Sequence, residues 1–541
     1  MGESDPLMER REFLKLGSAA CVGLAAGGAL GLSPENLSGT LTPAGMKLGH
    51  ALRDGRLNGV KRATERVPLL IVGGGVAGLS AAYYLSQAGC HDYLLLEMAD
   101  EVGGNAAWGE NAVTRYPWGA HYLPLPSRES RHVRHLLHDF GILLDGVDAD
   151  EPVYDERLLV HAPQERVFDG AQWHEGIFPE AGLTPWEKDE RRRFGEMMAA
   201  FRNALGADGR KAFAIPAALS SADPRYRQLD RLTMGEWLAD HGFKGERLRW
   251  YVNYCCRDDF GTGSDQASAW IAIHYFAARA GKGFHAEQGA FLTWPEGLGR
   301  LTGELARRSG GRSERGTVYH LTDDPQGIRA SAYFPESGES REILAQQVIW
   351  AAPAHVARHA IGADLLPDRQ MLAVESAPWV VANLTLKDWP RYRPDAPFSW
   401  DNVMMDGRGL GYVVATNQEV TQATHGPTVL TCYDAWSQDG NFARNREILE
   451  KSDWAALAGR FLADLRPAHP DIDSLATRLD IRIWGHAMAS PKRGFLSHPA
   501  RGLAKLAGKL LFAHSDAAGY SVFEEASWLG MMAARSALAH G

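Results

Sequence analysis

The sequence predicts a two-domain α/β protein, in which a parallel-sheet domain carries a largely helical insertion. Three observations predict it. A chain of 541 residues is longer than one ordinary core can fill. A short apolar strand, Val67–Val72, runs straight into Gly73-Gly74-Gly75-Val76-Ala77-Gly78 and on into a helix. Helical patterning then dominates Pro185–Ala280.

The glycine segment is the most informative element. Gly73 permits a tight turn, Gly75 lets the backbone approach a pyrophosphate, and Gly78 lets helix and strand pack closely. Val76 and Ala77 open the helix, whose unpaired N–H groups attract phosphate. Leu79, Ala82, Tyr83 and Leu85 give that helix an apolar side. A second strand, Tyr93–Leu96, ends at Glu97, 19 residues past Gly78, where a carboxylate accepts hydrogen bonds from adenosine ribose hydroxyls.

The residues after Glu97 favour FAD over NAD. Glu97-Met-Ala-Asp-Glu-Val-Gly103-Gly104 resembles the flavin-containing amine oxidase and phytoene desaturase superfamily. The resemblance implies a discontinuous Rossmann-like FAD-binding domain with an inserted α+β substrate domain. It also implies that Gly103 and Gly104 contact the flavin nucleotide, with Asn105 replacing the arginine usual there. Tyr116-Pro-Trp-Gly119-Ala120-His121-Tyr122 is similar to the segment that passes the isoalloxazine ring. Gln347–Pro353 resembles the strand returning to the FAD domain, which puts Ala352 beside the cofactor and Val318 near adenine. Leu511–Asp516 and Glu524–Ala534 resemble the closing strand and helix. There Asp516 is expected on the ribityl chain, Glu524 near the pyrimidine and Trp484 against the ring. No cysteine lies near Asp516, so the FAD is expected to be non-covalent.

Family catalytic positions match less well. The strand expected at Val380–Leu386 offers Asn383 where many amine oxidases carry lysine, and Lys387 is displaced. The C-terminal tyrosine of the amine-binding aromatic cage is Val522 here. Substrate contacts are therefore sought in Trp250–Gly261 and its neighbours. Tyr254, Asp258, Asp259, His274 and Trp294 are expected to converge near the flavin face with His121 and Glu524, either acid serving as counter-ion to a cation. The alternative is a salt-bridged helix end around Arg257. His486 is a further flavin-proximal histidine. His132, His135 and His138 drift around a helix rather than converge, and no metal site is expected.

Other features set the context. A net charge of −9 argues against nucleic acid as the main partner. Five cysteines, with Cys255 and Cys256 adjacent, form no zinc or redox spacing. Residues Glu9–Gly17, ERREFLKLG, precede a Gly/Ala-rich apolar run and resemble a twin-arginine signal around Arg10 and Arg11. Export to the periplasm, or its equivalent, through that machinery is the expectation, with no membrane span beyond the signal and no clear cleavage site. The expected layout is a signal at 1–32 and a linker at 33–65, with regular structure starting at Val67. The FAD domain takes 66–150, 285–355 and 480–541, and the substrate domain takes 151–284 and 356–479. Arg307–Gly316 and Glu336–Arg341 read as surface turns, and Thr233–Glu236 as a capping box. The expected activity is oxidation of an amine or polyamine by hydride transfer to flavin N5. The alternatives are a desaturase or isomerase of an unsaturated lipid, and a flavin-bearing binding protein without turnover. Oligomeric state is not legible.

Overall fold

The computed structural model describes residues 37–57, 60–161, 164–286, 289–391, 393, 397–418, 425–437 and 439–540. The expected signal at 1–32 lies outside them. Regular structure begins well before Val67: β1 (Leu41–Pro43) and α1 (Met46–Arg53) fall in the expected linker, and β2 (Val60–Val72) starts inside it. The polar composition misleads because a three-residue edge strand depends on backbone partners more than on apolar side chains. β1 lies parallel to Ile481–Ile483, and the Thr40 hydroxyl donates to Asp480 Oδ1 at 2.7 Å.

β2, α2 (Val76–Gln87) and β3 (Tyr93–Glu97) form the predicted unit. Leu70 and Ile71 are wholly buried because β2 is an inner strand covered on both faces. α3 (Arg131–Asp139) still belongs to the nucleotide domain, and the insertion carries β4 (Glu165–Phe168), β5 (Trp173–Glu175), α4 (Pro185–Asn203), α5 (Met234–Asp240), α6 (Glu246–Phe260) and α7 (Ala269–Ala278). The Thr233–Glu236 capping box opens α5 as expected. Gly261, left-handed at φ 58°, ends α6 two residues after Asp259.

The chain then returns through β6 (Arg312–Arg315), β7 (Thr317–Asp324), β8 (Gly327–Phe334) and β9 (Glu339–Trp350). Part of the turn expected at Arg307–Gly316 is thus an edge strand, β6, parallel to β3. After it come β10 (Ser376–Leu386), β11 (Asp401–Met404), β12 (Gly411–Val414), β13 (Thr428–Ala435), β14 (Ala476–Ala489), β15 (Leu510–Phe512) and α8 (Phe523–His540). β10 is buried along its whole length, as its apolar composition predicts.

Two sheets organise these strands. One runs β6-β3-β2-β9-β8-β7, with β15 pairing the end of β9. Its β2, β3, β6, β9 and β15 are mutually parallel, and α2 and α8 pack together against it. The other runs β1-β14-β10-β13-β12-β11-β4-β5. The stretch expected to rejoin the nucleotide domain at 480 therefore spends its first ten residues in the second sheet, between β1 and β10. Among the described residues no helix is long and apolar enough to cross a membrane.

Candidate active site

Two cavities meet between the sheets. The first holds about 1140 Å³ of open space over the carboxyl ends of β2, β3 and β9, where parallel α/β sheets bind ligands. Gly73, Gly75, Val76 and Ala77 line it at the start of α2, which no side chain caps. Its first N–H groups therefore have no intrahelical partner. A Cβ placed on Gly75 would meet only Gly104 Cα, at 3.8 Å, so that space belongs to the cleft. Gly73 adopts φ +107°, and a Cβ on Gly78 would collide with the Gly73 carbonyl oxygen.

Glu97 closes the far side. Its Oε2 accepts the Gly74 N–H at 2.6 Å and its Oε1 the Ala99 N–H at 2.8 Å. Burial raises its carboxyl above the usual range, and those N–H groups pull against the rise. Gly104, Val318 and Ala352 line the cleft. Gly103 instead braces the loop, its N–H donating to the Gly74 carbonyl at 2.8 Å. The open helix start, the half-buried acid at the end of β3 and the elongated space fit a dinucleotide.

Asp516 is not where the resemblance placed it. It lies outside both cavities, its Oδ2 accepting the Ala354 N–H at 2.7 Å and its Oδ1 lying 3.3 Å from His514 Nδ1. Burial alone would raise its carboxyl, but His514 and the Ala354 N–H bring it to about 2. Asp516 thus ties the turn after β15 to the turn after β9, and its neighbours His514 and Ser515 reach the cleft instead.

The second cavity, about 840 Å³, shares Asn105, Ala120, Leu298, Ser521, Val522 and Phe523 with the first. Gly119 lines it too, and the Asn105 amide is held by the Ala487 carbonyl. Aromatic rings form much of the rest. His121 stacks on Tyr433 (4.4 Å, 26°), whose hydroxyl donates to the Gly119 carbonyl at 3.1 Å. Burial drops the His121 imidazole to about 3, so it is neutral near pH 7. The Trp484 indole N–H donates to the Trp118 carbonyl at 2.6 Å, with the Arg482 guanidinium 4.7 Å from its ring.

Asp258, Asp259, Arg279 and Glu524 supply the charge. Arg279 pairs with Asp259 and lies 4.4 Å over the Tyr275 ring. Burial, and then Asp259, push Asp258 to about 7. Burial also pushes Glu524 to about 7, and only 5% of this residue is exposed. Sequence reasoning missed two further acids. Glu165 on β4 and Asp401 on β11 stand opposite each other in a parallel pair; Glu165 adds to the rise at Asp258, and Asp258 to that at Asp401. Burial brings Glu165 to about 7; burial, then Glu165 and Asp258, hold Asp401 well above its usual range. No motif marks either residue; only strand pairing brings them to α6.

Three expected members are elsewhere. Tyr254 is buried, stacked on Trp250 at 5.7 Å, with its hydroxyl donating to the Leu410 carbonyl at 3.3 Å. His274 stacks on Trp270 at 5.0 Å and contacts the Ala214 carbonyl through Nε2 at 2.8 Å, because that face of α7 packs inward. Trp294 is core, in the strand return whose Thr293 hydroxyl donates to the His121 carbonyl at 2.7 Å. Asn383 is also tied up, donating to the Pro117 carbonyl and accepting from the Thr431 hydroxyl. His486 stacks on His355 at 3.8 Å, outside both cavities. His132 is buried with Nε2 2.9 Å from the Glu524 carbonyl, and among the described residues no three ligating side chains gather as for a metal.

Residues 71–140 match a family model described as an NAD(P)-binding Rossmann-like domain. L-amino-acid oxidase of Demansia vestigiata is 38% identical over 88 residues, 16% of this chain and 17% of that protein, so the match spans about a sixth of the relative's length. A structure of putrescine oxidase bound to putrescine superposes with TM-score 0.62 at 16% identity, over 88% of this chain and all of that one. A CLA-producing fatty acid isomerase from P. acnes superposes with TM-score 0.57 at 16% identity, over 86% and 97%. These likenesses show the fold, an α/β architecture with a Rossmann-like dinucleotide domain, and the fold alone hosts more than one chemistry.

Proposed function

We propose that this chain is an FAD-dependent oxidoreductase that oxidises an amine or polyamine. FAD is the cofactor, with its pyrophosphate at the start of α2, its adenosine towards Glu97 and Val318, and its ring towards Asn105, Ala120, Trp484 and Val522. When bound, FAD supplies a hydride acceptor next to the second cavity. The chain's own residues bind and orient the substrate there and keep water out.

One observation carries the amine reading. The second cavity is walled by aromatic rings and by three carboxylates against a single guanidinium, Arg279, which Asp259 already engages. Aromatic faces and surplus buried acids attract a cation. A carboxylate-bearing or purely apolar substrate meets the wrong field at Asp258 and Glu524, which weighs against the lipid desaturase or isomerase reading. The open space beside the shared wall weighs against a binding protein with a blocked flavin. The likeness to a putrescine oxidase structure supports the same choice. Export by the twin-arginine route belongs to this proposal and rests on Arg10, Arg11 and the apolar run after them.

The test is anaerobic mixing of the yellow holoprotein with amines of graded length or with unsaturated fatty acids. Flavin bleaching by amines and not by lipids supports the reading. Bleaching by lipids alone overturns it.

A further inference from the structure

We infer that Glu524 is the base that takes the proton from the bound substrate ammonium, a role separate from the counter-ion role of Asp258. The inference rests on the amine reading. Glu524 is 5% exposed, lines the second cavity and stands in the first turn of α8, one residue after the Ser521–Phe523 segment that walls both cavities. It is therefore the cavity carboxylate next in chain to the cofactor cleft. Asp259, by contrast, is closed by Arg279. Among the described residues no cation and no other side chain bonds the Glu524 carboxylate.

Chemistry requires a neutral nitrogen, and a base in the cavity lets the abundant ammonium form serve as substrate. An ammonium has no lone pair to assist departure of the α-hydride, so the nitrogen must become neutral first. In the step proposed, an N–H bond of R–NH3+ breaks, an O–H bond forms on Glu524, and neutral amine faces neutral carboxylic acid. Burial favours this neutral pair over the ion pair on both sides, raising the carboxyl and lowering the amine. The charged and titratable groups around Glu524 come from several elements: Asp258 and Asp259 on α6, Arg279 after α7, His132 on α3, and Tyr520 and Glu525 on its own segment. Burial, the largest influence, places Glu524 at about 7, where a base is ionised enough to act and its acid can still return the proton.

The test uses holoenzyme and two probe cations. tert-Butylamine has N–H protons but no α-hydrogen, so it binds without reduction; tetramethylammonium has charge and no N–H. Difference infrared spectra near pH 8 should show a protonated-carboxyl band with tert-butylamine, none with tetramethylammonium, and none with either in Glu524→Gln. In the same variant, flavin reduction by a reactive primary amine should slow 10²–10⁴-fold near pH 7.5. That loss should shrink as pH approaches the amine's own pKa, which a merely structural defect would not produce. Binding of both probes without the band in wild type overturns the base assignment and leaves the amine reading standing, as does the band persisting in Glu524→Gln. Failure of both probes, and of reactive amines, to perturb the flavin overturns the amine reading and this proposal together.

Discussion

Asp259 and Arg279 form a closed ion pair in the wall of the second cavity, whereas Asp258, the residue before Asp259, lines that cavity with no cation paired to it among the described residues. One turn of α6 thus presents a neutralised acid and an available one. The two carboxylates were indistinguishable in the sequence, and their roles separate only through what α7 brings to them.

Asp258→Asn should raise the concentration of amine needed for half-maximal rate at least ten-fold while the limiting rate changes less than three-fold, because a counter-ion binds ground and transition states alike. Steady-state kinetics with mono- and diamines of matched length check this. A fall confined to the limiting rate would assign Asp258 to the chemical step.

Stability should fall as pH rises through the acid cluster. Asp258, Glu165 and Glu524 sit near 7 in the folded protein, above their ordinary values of 3.8 to 4.5. The folded state holds more protons than the unfolded one between these limits, so ∂ΔG/∂pH is negative there. The melting temperature of substrate-free protein should decline from about pH 6.5 to 8, above the range in which buried histidines such as His121, His274 and His486, held neutral in the folded state, contribute with the opposite sign, and Asp401→Asn should flatten the decline and raise the melting temperature at pH 8 by roughly 1–3 °C. An Asp401→Asn profile parallel to wild type would remove Asp401 from the cluster.

Glu97→Ala should weaken FAD retention about 10- to 100-fold, since hydrogen bonds to a charged group contribute about 1.5–3 kcal/mol each. The variant also releases the Gly74 N–H, so the loop itself should loosen. Apparent affinity is read by flavin fluorescence during dialysis. Acid denaturation of wild type should free intact FAD into the supernatant, and colour left on the precipitate would contradict a non-covalent cofactor.

Changing Arg10 and Arg11 together to Lys should leave yellow, folded protein in the cytoplasm, because folded holoprotein has no other route out. Fractionation of expressing cells measures it. Unchanged export in the double variant would refute the twin-arginine assignment.

The nucleotide half of the molecule was legible because a strand, a glycine turn, a helix and an acid must succeed one another in sequence to hold a phosphate, and Gly73–Glu97 states that order directly. The substrate half was legible only in part. Glu524 sits in a segment that neighbours the cofactor by chain connection, so the resemblance reached it, whereas Asp258 stood out only as an acid in a local cluster of acids and aromatics. Glu165 and Asp401 come together through a parallel strand pair between distant segments, which leaves no local trace. His274 and Trp294 failed for the opposite reason, since an aromatic or histidine on an apolar helix or strand reads the same whether it lines a cavity or fills a core. Asp516 shows that a motif residue can keep its place in the chain and still turn its carboxylate to the backbone.

The pairing of β1 with β14 joins residues 440 apart, Thr40 and Asp480 among them. The strand nearest the start of the described chain is therefore one that cannot be seated until almost the whole polypeptide has been synthesised. A ribosome that stalls before Ile481 leaves Leu41–Pro43 with nothing to dock on, while a finished chain locks that segment beside the strand that carries Trp484 into the cavity. The position of residues 40–43 is therefore set by a strand laid down some 440 residues later, the same strand that carries Trp484 to the cavity.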